Sequence, residues 1–319
     1  MTFARRAGAL ALAGALAATT ACTSGSDPSP SSTTATTTTT VALADPPEVL
    51  DAGAEPRREL RLAYRTGDEV VLRIAQDLVV DQVEGDRAQQ LDSPPIVQVV
   101  ALRVASVDED EIVLETTVRS ATVEAAGTAL DADQAAALQE QLDGLAGLRG
   151  EVHLDPLGRV LATELERPDD LPDEVGRVLD ALGAQLGQLS PRLPEEAVGP
   201  GARWRSEVPV VALGDGAVSG TTVQTTTLTA VDGDQLTLSV ELALDRDEGA
   251  IERADGTILR DLALTGSGTA VIGLDRPTQR SELRTRSSAT LVVEGGVGDG
   301  PRTVEQRTTT LSRVGPQEG

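Results

Sequence analysis

Residues 235–244, Gln-Leu-Thr-Leu-Ser-Val-Glu-Leu-Ala-Leu, alternate without a break, so that Leu236, Leu238, Val240, Leu242 and Leu244 share one face. Successive side chains of an extended chain point to opposite faces, and this pattern buries one face of a strand and leaves the other to water. The alternation recurs at 59–64, where Leu60, Leu62 and Tyr64 oppose Glu59, Arg61 and Ala63, and at 111–118, through Ile112, Leu114, Thr116 and Val118. Segments of this kind belong to antiparallel sheet with one solvated face. Val-Asp-Glu-Asp-Glu (107–111) and Val-Asp-Gly-Asp-Gln (231–235) join them as hairpin turns, with Asp232-Gly233 the stronger turn signal.

Two helices interrupt the pattern. Asp131 caps the first, with Gln134 reaching back and Leu138, Leu142 and Leu145 recurring on one face. The second is expected over 171–189, carrying Val175, Val178, Leu179, Leu182, Leu186 and Leu189 until Ser190-Pro191 stops it. Gly176, Gly183 and Gly187 form a stripe along it, at a cost of roughly 1 kcal/mol each relative to Ala. The stripe either faces solvent, packs closely on a sheet or lets an apolar ligand lie against the backbone.

A weak duplication is also legible. Residues 66–73 correspond to 200–207, 107–115 to 231–239 and 150–160 to 270–280, the last pair sharing Leu-Asp at 154–155 and 274–275. The expected fold is therefore mainly β (α+β). Two antiparallel repeats, 57–166 and 193–315, form a half-barrel or curved sheet over 57–315, with two packed helices. The core must be aliphatic, because Phe3, Tyr64 and Trp204 are the only aromatic residues. Tyr64 and Trp204 sit at or beside matching starts of the repeats. Either they plug the core with their polar tips hydrogen-bonded, or they flank the mouth of a pocket. With Gly176, Leu179, Gly183 and Leu186, they are the candidate ligand-binding residues.

The N-terminus has the parts of an export signal over 1–21: Arg5 and Arg6, then an apolar run from Ala7 to Ala18, then small residues. The run falls short of the ~20 residues needed to span a hydrocarbon core. Cys22, the single cysteine, follows directly. Its position resembles the lipobox of bacterial lipoproteins, in which the cysteine is lipidated and becomes the new N-terminus. That family places Leu three residues before the Cys, where this chain has Thr19. The alternative is a secreted protein cut near Ala21 with a free thiol. Residues 22–56 read as a Thr/Ser/Pro-rich disordered tether, with too little apolar content to offset the entropy of ordering it. The resemblance implies a lipid anchor on the extracytoplasmic face of the cell membrane. The absence of Lys and the Ala, Gly, Val and Asp bias point to a GC-rich actinobacterial host.

The phrase Pro194-Glu-Glu-Ala-Val198-Gly199-Pro-Gly201-Ala202-Arg-Trp204 resembles a Pro-x-x-x-Val-Gly-x-Gly-Ala-x-Trp phrase of an uncharacterised family of exported bacterial lipoproteins. That family shows a similar duplicated β-rich pattern, and the resemblance brings no activity with it. The architecture is also loosely similar to LolA-type and LppX-type carriers, whose unclosed barrels hold lipid beneath helices.

Composition and motifs narrow the chemistry. A formal net charge of −24 repels nucleic acid and anionic lipid headgroups as partners. Sugar-binding platforms and base-stacking surfaces need several aromatic faces, and this chain lacks them. His153, the single histidine, lies opposite Val152 and Leu154 and is expected at solvent or a sheet edge, with no nucleophile elbow to serve. One His and an anchored Cys make no standard zinc set, and the acidic clusters at 108–111, 232–234 and 245–248 lack a calcium-loop frame. No phosphate-binding or dinucleotide-binding glycine motif occurs, so no cofactor is expected. The expectation is a non-enzymatic envelope lipoprotein that binds an apolar or lipid ligand between sheet and helices. The alternative is a surface-displayed structural or interaction module with a solid core. If Cys22 carries the anchor, Cys22→Ser moves the protein from the membrane fraction to the soluble fraction, and unchanged retention in fractionated cells rules the anchor out.

Overall fold

The computed structural model describes residues 34–40, 45–125, 131–168, 192–209, 221–245, 249–252, 257–293 and 300–317. Among them are fourteen strands: β1 (Thr34–Thr40), β2 (Glu48–Asp51), β3 (Glu69–Glu84), β4 (Arg87–Val107), β5 (Ile112–Val123), β6 (Arg149–Leu154), β7 (Val160–Pro168), β8 (Arg203–Pro209), β9 (Thr221–Asp232), β10 (Gln235–Asp245), β11 (Ile251–Glu252), β12 (Ile258–Gly273), β13 (Gln279–Val293) and β14 (Arg302–Pro316). Helix α1 (Ala132–Asp143) lies between β5 and β6. All strands belong to one antiparallel sheet in the order β1-β7-β6-β5-β4-β3-β14-β13-β12-β10-β9-β8-β2, with β11 on β12. One meander runs from β3 out to β7. The chain then reappears at β8, near the opposite edge, and runs back to β14, where β14 pairs β3.

Local chemistry sets the turns. Gly233, at φ +58°, lets Asp232 pair Gln235 across a tight hairpin, and Gly85, at φ +57°, does the same between Glu84 and Arg87. The turn at 108–111 closes through the Asp108 amide donating to the Glu111 carbonyl at 2.8 Å. Helix α1 starts in the expected capping box: Asp131 accepts from the Gln134 amide (2.8 Å) and the Gln134 side chain accepts from the Asp131 amide (3.2 Å). Leu142, and Leu145 just past the helix end, enter the core, and Gln139 donates to the Ala121 carbonyl, tying the helix to β5.

The sheet is rolled, and the roll is held at one end. Leu157, in the β6–β7 turn near one edge, accepts from the amide of Leu193, which leads into β8 near the other (2.9 Å). Residues 52–67 cross this end as a strap. Ala54 and Arg58 donate to the carbonyls of Pro200 and Val198, Leu62 to Pro156, Ala63 to Leu274 and Gly67 to Val104. The strap therefore touches the start of β8, two hairpin turns and the end of β4. Its inward side chains Leu60, Leu62 and Tyr64 join Leu72, Ile74, Val100, Val104, Ile112, Leu154, Leu228 and Leu236 in one aliphatic cluster around Trp204.

The distinctive phrase at 194–204 is the seat of this strap. Val198 bridges Arg58, while Ala202 and Trp204 are fully buried. A Cβ on Gly199 would overlap the Ala54 carbonyl, and Gly201 turns at φ +84°. Both glycines serve close backbone approach and a left-handed turn, which other residues cannot supply cheaply.

Two features differ from the sequence expectation. Thr34–Thr40, expected within the tether, lies antiparallel along β7, and Glu48–Asp51, also inside the expected 22–56 span, pairs β8. Threonine is β-branched and suits an edge strand, which needs only backbone groups to pair. Described strands thus lie ahead of residue 57. The helix expected over 171–189 lies outside the described residues, as does the whole signal with Cys22.

Gly199→Ala is expected to cost about 1–3 kcal/mol by displacing the strap. Gly315→Ala, where an added Cβ meets nothing within 4 Å, leaves stability nearly unchanged. Equal urea midpoints for the two variants would show that the strap does not support the base.

Candidate functional site

The packed core stops partway along the strands. β12, β13 and β14 have 16, 15 and 15 residues, about 50 Å each at ~3.3 Å per residue. Their buried apolar side chains, Ile272 and Val314, fall within the three or so residues nearest the strap. Beyond them the register carries the inner face onward: Val240 opposes Gly268, Leu242 opposes Gly266, Gly268 opposes Leu283 and Leu78 opposes Thr310. On β13, Leu283, Thr285, Ser287 and Ala289 are half-buried, whereas Glu282, Arg284, Arg286 and Ser288 on the outer face are exposed. The result is a concave, largely apolar face of Leu, Val, Gly and Thr, continuous with the core at its base.

Glycines shape this face. A Cβ on Gly268 would overlap the Glu282 carbonyl of β13, so β12 and β13 approach there more closely than side chains permit. Glycine within a strand marks such bends. Two polar atoms on the inner face are buried and lack a hydrogen-bond partner among the described residues: Gln98 Oε1 on β4 and Ser206 Oγ on β8. An unsatisfied buried acceptor costs about 1–3 kcal/mol.

The two aromatic candidates sit at the base, away from the open half. Trp204 is fully buried, and its Nε1–H donates to the Arg192 carbonyl at 2.9 Å. Tyr64 is buried in the same cluster. Burial, and secondarily the Asp275 carboxylate, push its phenol well above the ordinary range. Gly176, Leu179, Gly183, Leu186 and Cys22 lie outside the described residues. Sequence reading passed over the inner residues of β12 and β13, because their glycines and threonines blur the alternation that marks β10.

On the outer face, His153 points away from the core, as its flanking Val152 and Leu154 require. Its Nδ1 lies 2.9 Å from Glu111 Oε1. Glu151 and Glu164 complete a group of possible metal donors with it. The sequence matches no family model and no curated protein.

Tyr64 is the single tyrosine, so its ionisation can be followed alone. An unfolded tyrosine titrates near ~10. Because the folded phenol titrates higher, its contribution to stability is fully present below that pH and is lost as pH rises above it. Phenolate absorbance is expected to appear only together with unfolding. Appearance of phenolate in the still-folded protein near pH 10 would show that Tyr64 is accessible.

Proposed function

We propose that this chain is an envelope lipoprotein, anchored through lipid on Cys22, that holds an apolar ligand against the concave face of its sheet beyond the packed base. The observation that carries the reading is the face itself. Half-buried Val240, Leu242, Leu264 and Leu283 continue the core surface, while strands of 15 and 16 residues extend well past the cluster that packs around Trp204. Each apolar side chain covered by a ligand contributes about 25 cal/mol per Å2 removed from water. Gln98 Oε1 and Ser206 Oγ offer polar contacts, which favours a ligand with an apolar body and one donor-bearing end. Gly176, Leu179, Gly183 and Leu186 remain candidate ligand contacts in this reading.

The duplication read from sequence is part of this proposal. The strand orders β7-β6-β5-β4-β3 and β13-β12-β10-β9-β8 run in the same sense on either side of β14, and both Leu-Asp turns dock on the strap. One repeat supplies most of the packed base and the other most of the open face. The second reading, a display module, draws on the densely packed base and the regular, charged outer face.

Native mass spectrometry of the mature chain, purified from the envelope of a related host, tests the reading. A reproducible added mass of lipid size, lost on unfolding, is expected. Leu264→Glu should reduce it at least tenfold in occupancy while the melting temperature stays within a few degrees. A clean unliganded mass from folded protein would overturn the carrier reading in favour of the display module.

A further inference from the structure

We propose that Glu151, His153 and Glu164, on the outer face of β6 and β7, bind one divalent transition-metal ion of the zinc class. Strand register brings the three together. Glu151 and His153 are two apart on β6 and therefore share its outer face, and Glu164 on β7 is the direct partner of Glu151. A register shift between His153 and Leu154 marks a β-bulge, a device that re-aims side chains. One donor atom from each residue lies within 4.8 Å of the others.

The imidazole is oriented for coordination. Glu111 Oε1 lies 2.9 Å from Nδ1, and a carboxylate can only accept, so Nδ1 carries a proton and, in the neutral ring, Nε2 presents its lone pair. A carboxylate holding the far nitrogen of a metal-bound histidine is the usual supporting contact for such a ligand. Nε2 is buried and has no hydrogen-bond partner among the described residues, with Glu151 Oε2 at 3.6 Å, beyond hydrogen-bonding distance. That lone pair faces a carboxylate, an arrangement that repels.

A cation relieves that repulsion. A proton on Nε2 would leave a contact too long for a good hydrogen bond. Zinc accepts nitrogen and carboxylate oxygen at about 2.0–2.2 Å, which places its donors roughly 3.5 Å apart, within reach of small rotations of the two glutamates. Two carboxylates with one imidazole suit zinc better than calcium, which prefers oxygen alone. Bound there, the ion would staple β6 to β7, beside the edge where β1 docks, and keep a coordination position open to water.

The test uses the untagged mature chain, stripped with EDTA and titrated with ZnCl2 in excess Mg2+, which occupies the diffuse acidic surface. The single histidine gives one set of imidazole signals, so NMR reports the site without any variant. Saturation of the His153 ring shift at one zinc per chain, with a matching calorimetric stoichiometry, is expected. Glu164→Gln should weaken affinity at least tenfold, and His153→Gln should abolish the site. An imidazole signal that zinc does not shift would overturn the proposal and leave His153 as part of an ion pair. Equal zinc affinity in the wild type and both variants would overturn it as well.

Discussion

The strap of residues 52–67 is the constraint on which the rest of this structure depends. Thirteen strands laid side by side at ~4.8 Å spacing would make a flat sheet nearly 60 Å across. In this protein a backbone hydrogen bond from Leu193 to Leu157 joins the neighbourhoods of its two edges. Twist brings a sheet partway round, but an open sheet has no ladder to close it. Among the described residues the strap supplies that closure at one end, by donating backbone hydrogen bonds to turns from both meanders and placing Leu60, Leu62 and Tyr64 between them. Trp204 fills the centre, the single largest side chain in a chain with almost no aromatic residues. Away from this closure the inner positions of the long strands β12 and β13 are half-buried.

The junction between the two meanders is reinforced differently. At the β3–β14 ladder, Arg313 reaches Asp77 at 2.7 Å and Glu282 at 3.3 Å, linking three adjacent strands across the outer face. These side chains are one-third to two-thirds exposed, so each pair contributes at most about 1 kcal/mol. Their greater effect is on register. Shifting β14 by one residue would bring Arg313 to the opposite face, away from both acids, and would turn Val314 outward from the core. Charge placement therefore matters more here than charge quantity, even with a net charge of −24.

Much of this was legible in the sequence wherever a local rule had no competitor. The β10 alternation, the Asp232-Gly233 turn and the Asp131 capping box each depend on residues within a few positions of one another. The outward aim of His153 followed from Val152 and Leu154 in the same way. What could not be read was pairing between distant segments. Glu164 joins His153 only through the β6–β7 register, and β14 meets β3 only because the chain returns from the far edge. The pairing of Thr34–Thr40 with β7 is likewise one between distant segments, since an edge strand needs only backbone groups to pair. The phrase at 194–204 was visible as distinctive, yet its purpose required seeing the Ala54 carbonyl against Gly199.

The composition of the open face is informative beyond its hydrophobicity. An all-leucine surface of this length would be an aggregation hazard, since extended apolar patches on sheets recruit other chains. A wholly polar one would gain nothing from covering an apolar ligand. Along β13 and β14 the inner positions instead mix Leu283 and Leu291 with Thr285, Ser287, Thr308 and Thr310. Hydroxyls on a sheet can hydrogen-bond to neighbouring backbone or to water, so they tolerate either a wet or a covered surface. Their methyl groups, on threonine, still add apolar area when covered. Such a face loses little when exposed and gains when occupied, which is the balance a protein needs if it takes up an apolar molecule and later gives it away.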